Sequence, residues 1–415
     1  MRKLAVLSMH TSPLAQPGTG DGGGMNVYVR ELAAALARSG VQCDVYTRAE
    51  SPDMPAIVAV EPGFVVHHVA AGPMRPIDKG RLHSLVGTFA DGVEAQMTRS
   101  GGGLPDAIHA NYWLSGVVGH RLKHRLDLPL VSTFHTLDRV KAEVSPEDVD
   151  PDDPDRRAHA EADVIGCSDL LLASCSVEAE QLVDLYDADP GRVAIVPPGV
   201  DHAFFSPGDQ RQARRALRLP AERPTVLFVG RIQPLKGLEV ALRALGALPD
   251  RGISDAQLLV VGGPSGPLGD GELARLRALA ERLGIADSVR FVPPQPHELL
   301  STWYRAADCC VVPSRSESFG LVALEAAACG IPVVASSVGG LTTLVEHGVT
   351  GYLVESGAVA GFADRLARLL GDRLHAAAIG SAAAERARRY TWPLAAAGLI
   401  AEHGELTDRT LVSCG

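Results

Sequence analysis

Short apolar runs alternate along most of this chain with longer segments whose apolar residues recur at helical spacing. The runs Leu4–Ser8, Gln42–Tyr46, Ala107–Ala110, Pro129–Thr133, Leu170–Ala173 and Val193–Val196 predict buried strands. Between them, Met25–Ser39 carries Val29, Leu32 and Leu36 on one helical face and stops at Gly40. Lys79–Met97 and Trp113–His124 also predict helices. Strand, helix, strand in succession is the signature of a parallel sheet covered on both faces.

The pattern breaks at Pro197-Pro198-Gly199-Val200-Asp201 and again at Phe204 through Gly208, before the Arg-rich stretch Arg211–Arg218. It then restarts. Thr225–Val229, Leu258–Val261, Val289–Val292, Cys310–Val312 and Val333–Ala335 predict strands. Glu239–Leu248, Glu272–Leu283, Glu298–Ala307 and Leu321–Cys329 predict the helices between them. The chain therefore divides into residues 1–197 and 198–390, with a helix from Thr391 onward after the second core is complete. Ser145–Asp155 is acidic and interrupted by three X-Pro steps, which predicts a loop. In doubly wound sheets ligands bind beyond the carboxyl ends of the strands, so candidate chemistry belongs just after the apolar runs.

Composition narrows the function classes. The chain has 415 residues, 46% hydrophobic and 21% charged, enough to build large cores. Its formal charge of −10 and 5% aromatic content argue against nucleic acid as a partner. No stretch approaches the ~20 apolar residues of a membrane span. The Leu4–Ser8 run behind Arg2 and Lys3 is too short for a signal-peptide core and reads better as a strand. Seven cysteines, an odd number with Cys309-Cys310 as the only close pair, predict reduced core thiols, a cytoplasmic protein and no zinc site.

Three motifs follow predicted strands. Gly18-Thr19-Gly20-Asp21-Gly22-Gly23-Gly24-Met25-Asn26 lies before the first long helix, where backbone amides favour an anion. The loop is too long for the tight turn of a dinucleotide fingerprint. Gly230-Arg231-Ile232-Gln233-Pro234-Leu235-Lys236-Gly237 puts two cations near a helix start, a pattern suited to a diphosphate. Pro313-Ser314-Arg315-Ser316-Glu317-Ser318-Phe319-Gly320 runs into an apolar helix, where Glu325 lies eight residues beyond Glu317. An acid in such a setting needs a partner, and carboxylates accept well from sugar hydroxyls. His10, His109 and His135 sit at strand ends, without metal-ligand spacing among themselves.

Taken in order, Gly-Gly-Met-Asn, Gly-Arg-x-x-x-x-Lys-Gly, and Glu-Ser-Phe-Gly with its second Glu resemble the retaining glycosyltransferases of family 4. The resemblance covers nearly the whole chain. It implies the GT-B fold, two Rossmann-like α/β domains facing across a cleft, with the C-terminal helix 391–415 completing the first domain. His10 through Asp21, Tyr112-Trp113-Leu114-Ser115-Gly116 and Gly262-Gly263-Pro264-Ser265-Gly266 are similar to the branch that glycosylates an inositol phosphate in mycothiol biosynthesis. That branch implies transfer of N-acetylglucosamine from UDP-GlcNAc to 1D-myo-inositol 3-phosphate; other acceptors in the family are sugar phosphates of the sucrose-phosphate type and inositol lipids.

Carried over by matching motif, the acceptor would meet Lys79, Tyr112, Thr136 and Arg157 through its phosphate, and His10, Asp21, Gly22, Gly23 and Asn26 through its ring. Arg231 and Lys236 would hold the donor diphosphate, with Gln16, Pro17 and Gly24 nearby. Glu317 would bind the transferred sugar, Glu325 the ribose, Gln295 the uracil, and His135 would lie beside the sugar. The catalytic set implied is His135, Arg231, Lys236 and Glu317. No cofactor enters the chemistry. The resemblance also implies a structural magnesium ion at Tyr304, Arg305 and Ala307, and a homodimer. The chain departs from the family at Asn111, at Leu137-Asp138-Arg139, at His159-Ala160-Glu161-Ala162-Asp163 and at Ile331.

Retention usually calls for a carboxylate nucleophile with a second acid nearby. No pair of acids is placed for that, so the resemblance implies same-face attack, the departing phosphate oxygen taking the acceptor's proton. Two other classes compete. A nicotinamide oxidoreductase needs the short Gly-x-Gly-x-x-Gly turn that is absent here. A non-catalytic sugar-nucleotide sensor would have no need of the full donor set.

Overall fold

The computed structural model describes residues 1–20, 22–99, 103–144, 155–266, 269–406 and 410–414. Its contacts divide the chain into two compact units. The first comprises Met1–Ala15, Met25–Gly199 and Trp392–Gly415; the second comprises Gln16–Gly24 and Val200–Thr391. The Gly-rich segment before the first helix thus groups with the second unit, although its sequence neighbours lie in the first.

In the first unit the strands are β1 (Lys3–Leu7), β2 (Gln42–Arg48), β3 (Ile57–Glu61), β4 (Phe64–Val69), β5 (Ala107–Asn111), β6 (Leu130–Thr133), β7 (Leu170–Ala173) and β8 (Val193–Ile195). They form one sheet in the order β3-β4-β2-β1-β5-β6-β7-β8. All neighbours are parallel except β3 and β4. Every residue of β1 is buried, as a strand covered on both faces requires. The Gly24–Arg38 helix buries Val27, Val29, Leu32 and Leu36 away from solvent. The Trp392–Leu406 helix also belongs here: its Trp392 ring meets Tyr28 edge-on at 6.0 Å, and Gly398 lies beside Val196.

The β3–β4 hairpin is absent from the sequence reading. It joins β2 to β4 without an intervening helix, so the βαβ rhythm passes over it, although Ala56–Val60 and Phe64–Val66 are apolar runs. The segment expected as one helix over Lys79–Met97 is two elements, a 3-10 helix at Lys79–Leu85 and an α-helix at Val86–Arg99. The Asp78 carboxylate accepts from the Gly80 amide and starts the tighter turn, which sets Lys79 at its head. Most of the acidic loop expected at 145–155 lies outside the described residues.

The second unit carries β9 (Thr225–Val229), β10 (Gln257–Val261), β11 (Val289–Val292), β12 (Cys309–Val312), β13 (Val333–Ser336) and β14 (Gly351–Val354). They form an all-parallel sheet in the order β11-β10-β9-β12-β13-β14. Only β14 escaped the sequence reading, being four residues long and directly behind a glycine turn. The Arg-rich stretch folds as the Gln210–Ala216 helix, and its Arg214 is a buried cation, 2% exposed, paired with Asp308 at 2.8 Å.

The cysteines correct one expectation. Cys43, Cys175, Cys309, Cys310 and Cys329 are buried and lie outside any disulfide, but the sulfurs of Cys167 and Cys414 come together, their Cα atoms 5.4 Å apart. They are 247 residues apart, so no local spacing could reveal them. No described helix is long and apolar enough to cross a membrane.

Candidate active site

Both sheets reverse their winding direction beside a central strand, and such switch points open a crevice at the carboxyl ends. In the first unit the reversal lies between β1 and β5; in the second it lies between β9 and β12. The candidate residues cluster at these two places.

In the first unit the centre is Tyr112, immediately after β5, with a left-handed backbone at φ 76°. The Lys79 ammonium lies over its ring at 4.3 Å and the Arg157 guanidinium at 4.9 Å. The His10 ring packs on it at 4.4 Å. Arg157 donates to the Thr136 carbonyl at 2.7 Å and to its hydroxyl at 3.0 Å. Burial works against the charge of Arg157, yet Tyr112, Glu161 and Asp138 hold its pKa above the ordinary value. Burial would likewise raise the Tyr112 phenol, but Arg157 and Lys79 outweigh it and bring it below its usual range.

Glu161 aims that arginine. It is fully buried and accepts from Arg157 Nε at 2.8 Å, from the Asp138 amide at 2.8 Å and from the Tyr186 hydroxyl. It falls in a stretch where the sequence departs from the family pattern, as does Asp138, and in the structure both carboxylates flank Arg157. Two cations against one aromatic ring, one of them held by carboxylates, are an arrangement suited to a dianion.

His135 follows β6 with φ 62° and bonds through Nε2 to Asn111 Oδ1 at 2.9 Å, the carboxamide oxygen making Nε2 the donor. Its ring stands edge-on to Tyr28 at 4.8 Å. Burial, with His109 adding to it, pushes the His135 pKa down to about 3, and burial pushes His109 down to about 4. Both are neutral near pH 7. Asn26 donates its amide to Thr11 Oγ1 at 2.8 Å and to Ser12 O at 2.6 Å, shaping the loop after β1.

In the second unit, Arg231 and Lys236 follow β9 and Glu317 follows β12. Lys236 Nζ lies 2.6 Å from Glu317 Oε2, and Ser314 Oγ donates to the same oxygen at 3.2 Å. The turn between them is dictated by Gly237, whose φ is +66° and where an added Cβ would fall 2.0 Å from the Pro313 carbonyl. Arg231 approaches Ser265 Oγ at 3.4 Å, and that hydroxyl donates to Gly20 O at 2.7 Å. A Cβ on Gly23 would sit 3.2 Å from Arg231 Nε, and one on Gly24 would touch Leu321 at 3.5 Å. The Gly-rich segment therefore folds around the arginine of the second motif. Gly22 and Gly23 group with Arg231 in the second unit, while His10, Asn26 and Tyr112 belong to the first; Asp21 lies outside the described residues.

Gln16 donates to Pro294 O at 3.1 Å, which brings it, with Pro17 following it, beside the 293–295 turn where Gln295 bonds back to Pro293 O at 2.9 Å. Glu325 is 4% exposed, and its two oxygens accept from Tyr304 at 2.7 Å and meet His297 Nε2 at 2.7 Å. Each carboxylate oxygen keeps a further lone pair.

Tyr304, Arg305 and Ala307, expected to hold magnesium, already meet protein partners, while each backbone carbonyl among them keeps a second lone pair that a cation could use. Magnesium asks for about six oxygen ligands in an octahedron. The Tyr304 hydroxyl is engaged by Glu325, the Tyr304 carbonyl accepts from the Ala307 amide, and the Ala307 carbonyl accepts from Gln210. Arg305 is a cation bonded to the Ser206 and Phe204 carbonyls.

Residues 22–204 match the family described as Glycosyltransferase Family 4, and residues 209–386 match Glycosyl transferases group 1. The D-inositol 3-phosphate glycosyltransferase of Actinosynnema mirum is 47% identical over 412 residues, covering 98% of both chains. The chain belongs to this glycosyltransferase family. The sucrose-phosphate synthase of Thermosynechococcus elongatus superposes with a TM-score of 0.90 at 33% identity, over 99% of this chain and 100% of that one. Anabaena HepE in complex with UDP and glucose gives 0.76 at 21% identity over 98% and 100%, a likeness of fold alone. This glycosyltransferase thus has the two Rossmann-like parallel-sheet domains of the GT-B class.

Sequence reasoning missed the residues that hold the candidates in place: Asn111 behind His135, Glu161 and Tyr186 behind Arg157, Ser265 beside Arg231, and His297 beside Glu325. Ser265 lies inside a motif that the sequence makes visible, and Asn111 and Glu161 lie at the noted departures from the family pattern; Tyr186 and His297 carried no signal.

Proposed function

We propose that this glycosyltransferase moves N-acetylglucosamine from UDP-GlcNAc to 1D-myo-inositol 3-phosphate with retention at the anomeric carbon. The observation that carries the acceptor half is the pairing of Lys79 and Arg157 over the Tyr112 ring. In a chain of net charge −10, such a positive pocket suits a compact dianion such as a phosphate monoester.

The donor half rests on the second unit. Arg231 and Lys236 would neutralise the diphosphate as the bond from the sugar to its oxygen breaks. Glu317 would accept from the sugar hydroxyls and Glu325 from the ribose, while the 295 backbone would meet the base. The acceptor hydroxyl attacks the same face that the leaving group departs from, and its proton goes to the departing phosphate oxygen. His135, held neutral, cannot add a positive charge; its role is to line the sugar site. No metal enters a step. Five buried cysteines outside any disulfide support a cytoplasmic setting.

A second reading has specific support: the likeness to sucrose-phosphate synthase favours a hexose phosphate acceptor for the same cradle. The deciding assay is UDP release from UDP-GlcNAc, alone, with 1D-myo-inositol 3-phosphate, and with fructose 6-phosphate. Strong stimulation by the inositol phosphate alone is the expected result. Stimulation by the hexose phosphate instead would move the acceptor assignment and leave the cradle standing; stimulation by neither would overturn the phosphate role of Lys79 and Arg157.

A further inference from the structure

Away from both candidate clusters, one end of the first unit gathers four side chains that the transfer reaction does not use. His120 and His124 lie four residues apart on the Trp113–Leu126 helix, so they share a face. Cys167 is the last residue of the Arg156–Cys167 helix, and Cys414 lies in the C-terminal segment. One ligand atom from each falls within 4.8 Å of all the others. His124 Nε2 is 3.1 Å from Cys414 Sγ and 3.5 Å from Cys167 Sγ, and His120 Nε2 is 3.6 Å from Cys414 Sγ.

The frame around them is rigid. Lys123, on the same helix between the two histidines, donates to the Cys167 carbonyl at 2.8 Å and to both Asp169 oxygens at 2.7 Å. Asp169 also accepts the Leu130 amide at 2.8 Å and the Val412 amide at 2.7 Å. That last bond brings the tail in two residues before Cys414.

From this geometry we infer that the dithiol form of this chain binds one zinc ion through His120, His124, Cys167 and Cys414. Two thiolates and two imidazoles are a complete, closed ligand set for structural zinc. Ligand distances of about 2.3 Å to sulfur and about 2.0–2.1 Å to nitrogen give tetrahedral S···N edges of about 3.6 Å. Two of the three His–Cys separations lie at that edge and the third, 3.1 Å, lies inside it, so the cluster opens and the two sulfurs part as the ion enters. A disulfide uses only two of the four groups and leaves unexplained why both Nε2 atoms converge on the sulfurs. In a reducing compartment, clustered cysteines and histidines serve metal binding more often than disulfide formation. The ion would fasten the C-terminal tail to the end of the Trp113–Leu126 helix, closing a span of 247 residues.

The test uses the full chain, reduced, stripped with a chelator and exchanged into thiol-free anaerobic buffer. Titration with Zn2+ against a chromogenic chelator is expected to give one equivalent bound, with the half-exposed Cys414 thiol protected from alkylation. Co2+ should give the ligand-field bands of a tetrahedral ion and a thiolate charge-transfer band. Cys414→Ser and the milder His124→Gln should each weaken binding at least tenfold while acceptor-stimulated UDP release stays within about twofold. Circular dichroism of each variant guards against simple misfolding. Failure of the reduced parent to take up metal, or an octahedral cobalt spectrum without the charge-transfer band, overturns the inference; a Cys167–Cys414 disulfide then remains as the tail's fastening. The zinc, cobalt and thiol readouts do not depend on the donor or acceptor assignment.

Discussion

Lys236→Met separates a structural ion pair from a catalytic cation. Lys236 and Glu317 lie 2.6 Å apart with side chains 22% and 19% exposed. A fully exposed pair contributes about 0–1 kcal/mol, and breaking a fully buried one costs about 3–5 kcal/mol. This pair is screened on one side, so removing the lysine should cost about 1–2 kcal/mol, or roughly 3–6 °C in Tm for a domain of this size. The effect on catalysis should be larger. A preorganised donor aimed at a developing negative charge contributes about 10²–10³ in rate. The decisive comparison adds Glu317→Gln and the double variant. If the pair only holds two loops together, the double variant regains both Tm and turnover. If Lys236 meets the diphosphate, the double variant regains most of its Tm while its turnover stays at least ~100-fold below that of Glu317→Gln alone. UDP release under saturating acceptor, beside thermal melts of all four proteins, gives the answer. Turnover of Lys236→Met within a few fold of the parent, or recovery of turnover in the double variant, would refute the role.

Arg157→Gln removes a charge-assisted contact of about 1.5–3 kcal/mol, so the acceptor KM should rise about 10–100-fold while slow acceptor-independent UDP release is unchanged; steady-state kinetics in each substrate check this. Glu161→Gln puts a donor amide among three donors, Arg157 Nε, the Asp138 amide and Tyr186, and should cost about 3–5 kcal/mol in urea melts with a raised acceptor KM. His109 and His135 sit at about 4 and about 3 in the folded chain against ~6.5 unfolded, so the unfolded chain binds more protons in that interval. Stability should therefore fall as pH drops below ~6.5, by up to ~1.4 kcal/mol per pH unit for each histidine, and His135→Gln should flatten the slope of urea-melt stability against pH.

The parallel strands and the helices between them are legible because burial on both faces writes continuous apolar runs, as in β1 and β12. The donor motifs are legible for a related reason: loops at switch points must carry glycine and charge in a fixed order. The β3–β4 hairpin was hidden by the missing helix. Most partners of the site residues were hidden by distance along the chain, whereas Glu161 lies four residues after Arg157 on the same helix. Asn111 reaches His135 across 24 residues and Glu161 reaches Tyr186 across 25. Such bonds depend on which strand lies beside which, and no local pattern encodes that.

The same contrast explains where the chain departs from its family. Asp138 and Glu161 look like arbitrary substitutions when read in line, yet both carboxylates flank Arg157, at 3.6 Å and 2.8 Å. A buried guanidinium in an acidic protein needs compensation, or burial would expel its charge. Glu161 supplies that compensation through Nε, from the protein side, while Thr136 receives Nη2 at the exposed end. The carboxylate therefore keeps the arginine charged without covering the Tyr112 face over which Lys79 also lies. A phosphate arriving there needs only to displace water and the weaker Thr136 contacts, since the strong ion pair with Glu161 stays intact. On this account the departures from the family pattern preserve the phosphate cradle, and acceptor specificity should be sought in the groups that face the acceptor's ring.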